Sequence, residues 1–348
     1  MTIGNKIKQL RLSSGLTQEQ LAGILGVTAQ AVSKWETGTT MPDITLLPLL
    51  STEFGVTIDE LFDLTTEQKL KRIERRIDLE EEFSDETFRE YSSFLKNLLT
   101  EHNDKRKVLS VLALLYHHRM ESDSKRVSKY AREAISLAPE IKECQWLLQK
   151  AEGASIWDWN IDNHASIIDF YKLIIKNNTV TPKSPLPYYE VMDNLIADHR
   201  TDEAKEYLAE YKKLPAHKPF LVPVYEAHIA LAEYNEKGAD EIMAAALTEF
   251  SDNSGFLFEN AQYHARKCNY KHAIEYYELS WQAEEKRKPR YTDALDAIAT
   301  IYTITGENEK AIKTYERMVK CIKEEWGYKS EDAAVIEVER KISRLQKL

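Results

Sequence analysis

The side chains best suited to chemistry lie in one string near the N-terminus, QEQLAGILGVTAQAVSKWET. Gln30 can form two hydrogen bonds with an adenine edge, Lys34 can donate to guanine or phosphate, and Ala29 offers a methyl to thymine. Gln18 and Thr28 stand where side-chain and backbone donors at a helix N-terminus can meet a phosphate. As a set on one face, these residues are suited to contacting double-stranded DNA.

The same string predicts the two helices that would position those side chains. Leu21, Leu25, Val32 and Trp35 are spaced to face one small core. Gly26 falls between the two helices, where a left-handed residue permits a sharp turn. This spacing is typical of a DNA-binding helix-turn-helix, whose second helix carries the contacting residues.

The first 64 residues are predicted to form one small domain. Six of the 11 glycines fall within the first 55 residues, and several of them directly follow a predicted helix end. A domain of about 60 residues can fold alone. Start and stop signals predict five helices, over residues 3–13, 17–25, 28–37, 44–54 and 57–62.

This segment resembles the Cro and phage-repressor (Xre-type, lambda-repressor-like) helix-turn-helix family. The resemblance rests on the strings IKQLRLSSGLTQEQLA, AVSKWETG, PDITLLPLL and FGVTIDELF. It implies a five-helix fold whose third helix enters the major groove of DNA. It also implies a set of DNA-contacting positions, which are Gln18, Thr28, Ala29, Gln30, Ser33, Lys34, Thr37 and Thr39.

Two features depart from the family's pattern. Ala29 is short where many relatives carry a long polar side chain, so one base contact is expected to be weaker here. Gly23 and Ile24 occupy positions that are usually polar. Ile24 is therefore either an exposed contact for a partner or partly buried against the first helix.

The charge of the chain bears on how it could bind DNA. The whole chain has a net charge of −10, which excludes a polybasic protein. Residues 1–63 carry four basic side chains against seven acidic ones. Because few phosphates would be neutralised, one copy is expected to bind weakly, whereas a homodimer could use two half-sites about 34 Å apart. We expect the long helical region to hold that homodimer together.

The rest of the chain has few turn residues and a recurring motif. Ala273 with Tyr277 matches Ala311 with Tyr315, at an interval of 38 residues. A period near 34 residues is typical of stacked helical hairpins, although a non-repeating helical array remains the alternative. The segments over 110–326 resemble tetratricopeptide repeats. The earlier matches are Ala239 with Met243, Ala204 with Leu208 and, more weakly, Ala165 and Val127 with Ala131.

The fold class predicted from these patterns is all-α. A five-helix DNA-binding domain over 1–64 is followed by a helical linker over 65–104. An α-solenoid of tetratricopeptide-like hairpins then fills 105–348, with a capping C-terminal helix. The basic residues of the linker either touch phosphate or belong to a solvated helix, and the sequence leaves both possibilities open.

The solenoid is predicted to present its first helices on a concave surface, which suits a peptide or a partner protein. Its combination with an Xre-type domain resembles the peptide-pheromone-responsive regulators of Gram-positive bacteria, which implies a peptide ligand. The repeat register places seven residues near that surface, namely Tyr116, Arg119, Tyr189, Asp193, His228, Gln262 and Arg266.

The sequence gives little support to catalysis. It has no phosphate-binding glycine loop or nucleophile elbow, and its three cysteines lack metal-binding spacing. We therefore expect no cofactor and no metal, and a cytoplasmic protein, since no apolar run could span a membrane. The prediction is a DNA-binding transcriptional regulator that senses a peptide or protein. The alternative is a protein-interaction scaffold whose DNA-binding head serves autoregulation or nothing.

Overall fold

The computed structural model describes residues 3–62, 65–101, 105–153, 161–177, 184–284 and 287–347. Within these ranges the secondary structure is helical, with nineteen α-helices and no strand. The all-α fold that the sequence predicts is thus confirmed. The chain divides into two compact units, Met1–Ser122 and Asp123–Leu348.

The predicted helices of the N-terminal domain are all present. A 3₁₀ turn, Ile44–Leu46, replaces the start of the fourth predicted helix. Asp43 caps this turn by accepting a hydrogen bond from the Thr45 N–H at 2.9 Å. The helices are α1 (Ile3–Ser13), α2 (Gln18–Leu25), α3 (Ala29–Glu36), α4 (Leu47–Phe54) and α5 (Ile58–Leu61).

One apolar core holds these five helices together. Leu21, Leu25, Val32 and Trp35 are all buried in it, as their spacing predicts. The approach of α1 to α3 is very close, because a Cβ added to Gly4 would lie 1.8 Å from the carbonyl oxygen of Trp35. Only glycine fits at that position.

Three further helices belong wholly or partly to the first unit: α6 (Thr66–Leu79), α7 (Asp85–Glu101) and α8 (Arg106–Leu137). Leu70 and Ile73 of α6 pack with Leu95 of α7 and with Val111 and Leu115 of α8. The sequence predicts that the tetratricopeptide-like hairpins begin near residue 110. This prediction is wrong for the segment that forms α8. Helix α8 is one helix of 32 residues, because no glycine or proline interrupts it.

The two clear matches of the repeat, and the two that extend it backward along the chain, each lie in a helical hairpin. The anchors Ala204, Ala239, Ala273 and Ala311 lie on the second helix of each hairpin and are fully buried. A small residue at this point lets two helices approach closely. The hairpins are α11 (Leu186–Ala197) with α12 (Thr201–Tyr211), α13 (Leu221–Ala232) with α14 (Glu236–Glu249), α15 (Ser254–Arg266) with α16 (Tyr270–Ala283), and α17 (Asp293–Ile304) with α18 (Asn308–Glu325).

The remaining helices flank these hairpins along the chain. Helices α9 (Lys142–Ala151) and α10 (Ile161–Asn177) precede them, and the weaker match at Ala165 falls in α10. The predicted C-terminal helix is present as α19 (Ala333–Leu345). Its apolar stripe packs on α18 through Val335, Val338 and Leu345.

Candidate nucleic-acid interface and ligand cavity

The turn between α2 and α3 is fixed by local hydrogen bonds. The Thr17 hydroxyl accepts from the Gln20 N–H at 3.1 Å, and the Gln20 side chain accepts from the Thr17 N–H at 2.8 Å. Gly26 has φ +69°, in the left-handed region. The Thr28 hydroxyl caps α3 by accepting from the Ala31 N–H at 3.2 Å. The ends of both helices are therefore held in place before any ligand binds.

Helix α3 has one buried face and one face open to solvent. Val32 and Trp35 point into the core, whereas Gln30 and Lys34 are exposed. Side chains on that open face are free to reach base edges in a major groove. The other predicted positions of α3 and its flanks are also exposed or half-buried, and they are Thr28, Ala29, Ser33, Thr37 and Thr39.

Two threonines fix the chain just beyond α3. The Thr37 hydroxyl donates to the Ser33 carbonyl at 3.0 Å and lies 3.0 Å from the Thr39 hydroxyl. The Thr39 N–H donates to the Lys34 carbonyl at 2.9 Å. Both hydroxyl oxygens keep lone pairs for a further contact. Their arrangement holds the loop close to the exposed end of α3.

Gln18 is half-buried, and its side chain makes a bond within the domain. Its amide Nε2 donates to Oε2 of Glu36 at 2.9 Å. Gln18 is the first residue of α2, where backbone N–H groups lack partners within the helix. In this arrangement its backbone N–H is the group best placed for a phosphate, and its side chain positions Glu36.

A buried ion pair, which the sequence reasoning missed, joins α1 to α3. Arg11 donates to both carboxylate oxygens of Glu36, at 2.6 and 3.0 Å, and to the Leu16 carbonyl at 2.7 Å. The two side chains are only 8% and 2% exposed. A sequence signal was present, because Arg11 continues the four-residue spacing of Ile3 and Ile7 on the buried face of α1.

The electrostatics of this pair favour its ionised form. Burial opposes the charge on Glu36, but hydrogen bonds from Arg11 and Gln18 outweigh it and hold the pKa of Glu36 below its ordinary value. The hydrogen bond to Glu36 raises the pKa of Arg11. Arg11 is therefore engaged inside the domain and does not neutralise phosphate.

Ile24 is the residue for which the sequence leaves two alternatives open. Its side chain is 48% exposed on α2, and neighbouring Gly23 is exposed as well. About half of its apolar surface is open to solvent, which is compatible with partial burial as well as with a partner contact. The alternative of a partner contact stays a prediction.

Five of the seven predicted groove residues surround one cavity of about 600 Å³ in the second unit. Tyr189 and Asp193 come from α11, His228 from α13, and Gln262 and Arg266 from α15. These are the first helices of three successive hairpins. The repeat register brings the five residues together because equivalent positions of stacked hairpins face the same side.

The other two predicted groove residues do not line this cavity. Tyr116 and Arg119 lie on α8 in the first unit and contact α7. The ring of Tyr116 meets Phe88 edge-on at 5.3 Å between centroids, and Arg119 pairs with Asp85 at 2.7 Å. The reason is that α8 is a single helix, so the register of the hairpins does not extend to it.

The cavity contains ionisable groups that the sequence reasoning missed, chiefly Tyr225 and Glu259. Burial raises the pKa of Asp193 to about 6, although hydrogen bonding to Tyr225 and the charge of Arg266 oppose the rise. Burial and the neighbouring Asp193 raise the pKa of Glu259. Burial and then Arg266 lower the pKa of His228 to about 4, so its imidazole is neutral near pH 7.

No group of three or more metal-ligating side chains is present among the residues that the structure describes. In the same ranges, none of the helices combines the length and the apolar character that crossing a membrane requires.

Comparison with known proteins identifies the N-terminal domain. The Helix-turn-helix family matches residues 7–61. The HTH-type transcriptional activator BcrR of Enterococcus faecalis is 49% identical over 61 residues, which are 18% of this chain and 30% of BcrR. The chain thus spans less than a third of that relative's length.

Two further comparisons are with a solved structure and with a second relative. The crystal structure of Bacillus thuringiensis PlcR in complex with the peptide PapR7 and DNA aligns with 99% of this chain and 98% of PlcR, at 12% identity and a TM-score of 0.26. The SPbeta prophage-derived uncharacterized HTH-type transcriptional regulator YonR of Bacillus subtilis is 35% identical over 82 residues, which are 24% of this chain and 68% of YonR. By its likeness to YonR, the chain belongs to the HTH-type transcriptional regulators.

Proposed function

We propose that this protein is a cytoplasmic transcriptional regulator that binds operator DNA as a homodimer and responds to a peptide or protein bound by its helical hairpins. The observation that carries the proposal is the exposed face of α3. Gln30 and Lys34 lie open to solvent there, on a helix whose other face is locked into the core by Val32 and Trp35. Such a face can read base edges without rearrangement.

The charge of the N-terminal domain supports binding as a dimer. With Arg11 paired inside the domain, the basic side chains free for phosphate are reduced to Lys6, Lys8 and Lys34 among residues 3–62. Each neutralised phosphate contributes to non-specific affinity through counterion release, so one copy has little of it. Two copies on adjacent half-sites would double these contacts and add sequence specificity.

The cavity of the second unit supports a peptide or protein ligand. Its volume of about 600 Å³ falls within the range of ligand sites. Tyr189, Tyr225 and Gln262 in its wall can hydrogen-bond a peptide backbone. Ligand binding in this cavity would then bias the arrangement of the dimer, and so the spacing of its two DNA-reading heads.

The test is fluorescence anisotropy with the DNA upstream of the protein's own gene, at moderate salt. Gln30→Ala and Lys34→Ala should each weaken binding by about 10-fold or more, because each loses a base or phosphate contact. Gln9→Ala and Lys237→Ala are the matched controls, since both residues are exposed and lie outside α3. A scaffold with an idle DNA-binding head predicts no binding by the wild type, and that result would refute the proposal.

A further inference from the structure

Two adjoining cavities lie along the hairpins of the second unit. The larger is the one described above, and the smaller encloses about 280 Å³. Lys218, Leu221 and Glu259 line both of them. A ligand longer than a single side chain can therefore occupy the two cavities together.

The larger cavity holds carboxylates that the protein leaves unpaired. Within the described residues, Asp193 and Glu259 make no ion pair with Lys218 or Arg266, the two cations of the same wall. Asp193 is exposed to solvent, although enough protein atoms lie around it for burial to raise its pKa. The charge of Arg266 does not offset burial, since the pKa of both carboxyl groups stays raised. The two cations of the wall therefore leave both carboxyl groups without an ion-pair partner.

His228 supplies a second sign of a missing partner. It is only 8% exposed, and its Nε2 atom has no hydrogen-bond partner in the cavity. Buried polar atoms are almost always hydrogen-bonded in native proteins. Because the imidazole is neutral, its Nε2 accepts a hydrogen bond when the ring proton is on Nδ1. His228, Asp193 and Glu259 together offer acceptors to a group rich in N–H donors.

The smaller cavity is aromatic and acidic. Four aromatic rings line it. Three carboxylates also line it: Glu284, Asp293 and Glu259, the last of which lines the larger cavity as well. Cations already lie over two of these rings, since Arg290 is 3.9 Å from the Trp281 ring centre and Arg287 is 3.4 Å from that of Tyr291. The four rings belong to Phe220, Phe258, Trp281 and Tyr291.

The residues that line the two cavities include four carboxylates and two cations. Arg287 and Arg290 lie over rings of the smaller cavity but are not among its lining residues, and Arg290 is already paired with Glu325 at 2.6 Å. We infer that the ligand is a short basic peptide, whose ammonium or guanidinium group lies between Asp193 and Glu259 and whose apolar side chain enters the aromatic cavity. The inference rests on the proposed function, because it names the class of peptide that the same site binds. Arginine and lysine fit it best, since each provides several N–H donors and a stem that packs on rings.

The experiment uses the full chain and a synthetic library of randomised hexapeptides without cysteine or histidine. Peptides retained by the protein after gel filtration are identified by mass spectrometry. We expect the retained set to be enriched at least about 5-fold in lysine and arginine. Glu259→Gln and Asp193→Asn should each lower this enrichment, whereas Glu226→Gln, which lies on α13 outside both cavities and pairs with Lys212 at 2.6 Å, should not.

The outcomes distinguish failure of the basic class of ligand from failure of the peptide-binding function itself. Circular dichroism and thermal melting first establish that the variants fold. Retention of acidic or uncharged peptides would overturn the basic class and leave the peptide-binding function standing. If the wild type retains no peptide, both the peptide function and its basic class fall, while DNA binding stays testable by anisotropy. Unchanged enrichment in both Glu259→Gln and Asp193→Asn would overturn the assigned site.

Discussion

The exposed face of α3 and the wall of the larger cavity differ in how their charges are held. Beneath α3, Arg11 and Glu36 pair at 2.6 and 3.0 Å, and the Leu16 carbonyl and the Gln18 amide make further hydrogen bonds with them. In the cavity, Asp193 and Glu259 remain without a paired cation, and His228 keeps an unbonded nitrogen. The first surface is complete without its ligand, whereas the second gains hydrogen bonds and charge compensation only when a ligand arrives.

The largest expected effect comes from breaking the support of α3. In Gly4→Ala the added Cβ would meet the Trp35 carbonyl at 1.8 Å, so α1 cannot stay against α3. We expect operator affinity to fall at least about 100-fold, because a small domain has little stability to lose. Fluorescence anisotropy measures the affinity, and the peptide-capture assay should be unaffected.

Gly23→Ala is the matched control for that change. An added Cβ at Gly23 has no neighbour within 4 Å, and alanine favours a helix interior by up to about 1 kcal/mol. Wild-type affinity in Gly4→Ala would show that α1 and α3 do not approach as described.

A smaller effect, a loss of stability in the N-terminal domain, should follow from breaking the Arg11–Glu36 ion pair alone. Arg11→Met leaves the Glu36 carboxylate buried without its partner, which costs about 3 to 5 kcal/mol. Hydrogen exchange of the α1 and α3 amides measures the free energy of opening. The double variant Arg11→Met/Glu36→Gln should recover much of the loss, and equal exchange in wild type and Arg11→Met would show that the pair does not stabilise the domain.

The pH dependence of this loss has a defined sign. Because the folded pKa of Glu36 is lowered, its contribution to stability is present above the unfolded value and is lost as pH falls through the folded pKa. The difference between wild type and Arg11→Met should therefore shrink below about pH 4. A constant difference down to pH 3 would contradict the assignment.

Ligand binding in the cavity should also weaken as pH falls, although at a higher pH than the ion pair. Since the pKa of Asp193 is about 6, a bound cation competes with a proton there. We expect a retained lysine-containing hexapeptide to bind about 10-fold more tightly at pH 7 than at pH 5, as isothermal titration calorimetry would measure. Asp193→Asn should flatten this profile, and an equally steep profile in that variant would assign the proton to another group.

The smallest expected effect is a rise in the thermal stability of the free protein when Asp193 is replaced by Asn. A raised folded pKa means that the folded state binds a proton more tightly, so stability falls as pH rises from about 4 to 6. Asp193→Asn removes that penalty, and we expect its Tm at pH 8 to exceed that of the wild type by about 1 to 3 °C. No such gain is expected at pH 3.5. A lower Tm at pH 8 would show that the carboxylate stabilises the free protein.

The N-terminal domain could be predicted from sequence because its signals are local. Gly26 and the cap at Thr28 fix the turn within a few residues, and Val32 with Trp35 fixes the buried face of α3. The Arg11–Glu36 pair was missed because it joins positions 25 residues apart. Nothing in either local sequence names the partner, although the spacing of Arg11 from Ile7 shows that it faces the core.

The cavity was predicted only where the repeat is regular. Register alone placed Asp193 and His228 in one wall, because their hairpins stack in the same way. It failed for Tyr116 because α8 is one unbroken helix, on which Tyr116 contacts Phe88 of α7. The importance of Glu259 could not be foreseen, since its raised pKa depends on burial and on Asp193 of α11, which is distant in sequence.

The central claim is that α3 reads bases through Gln30. The most direct test measures the affinity of wild type and Gln30→Ala for a series of operators in which each base pair is changed in turn. We predict that Gln30→Ala loses discrimination at one A·T pair in each half-site, worth about 1 to 3 kcal/mol, and keeps it elsewhere. An identical base-preference profile for the two proteins would contradict the claim.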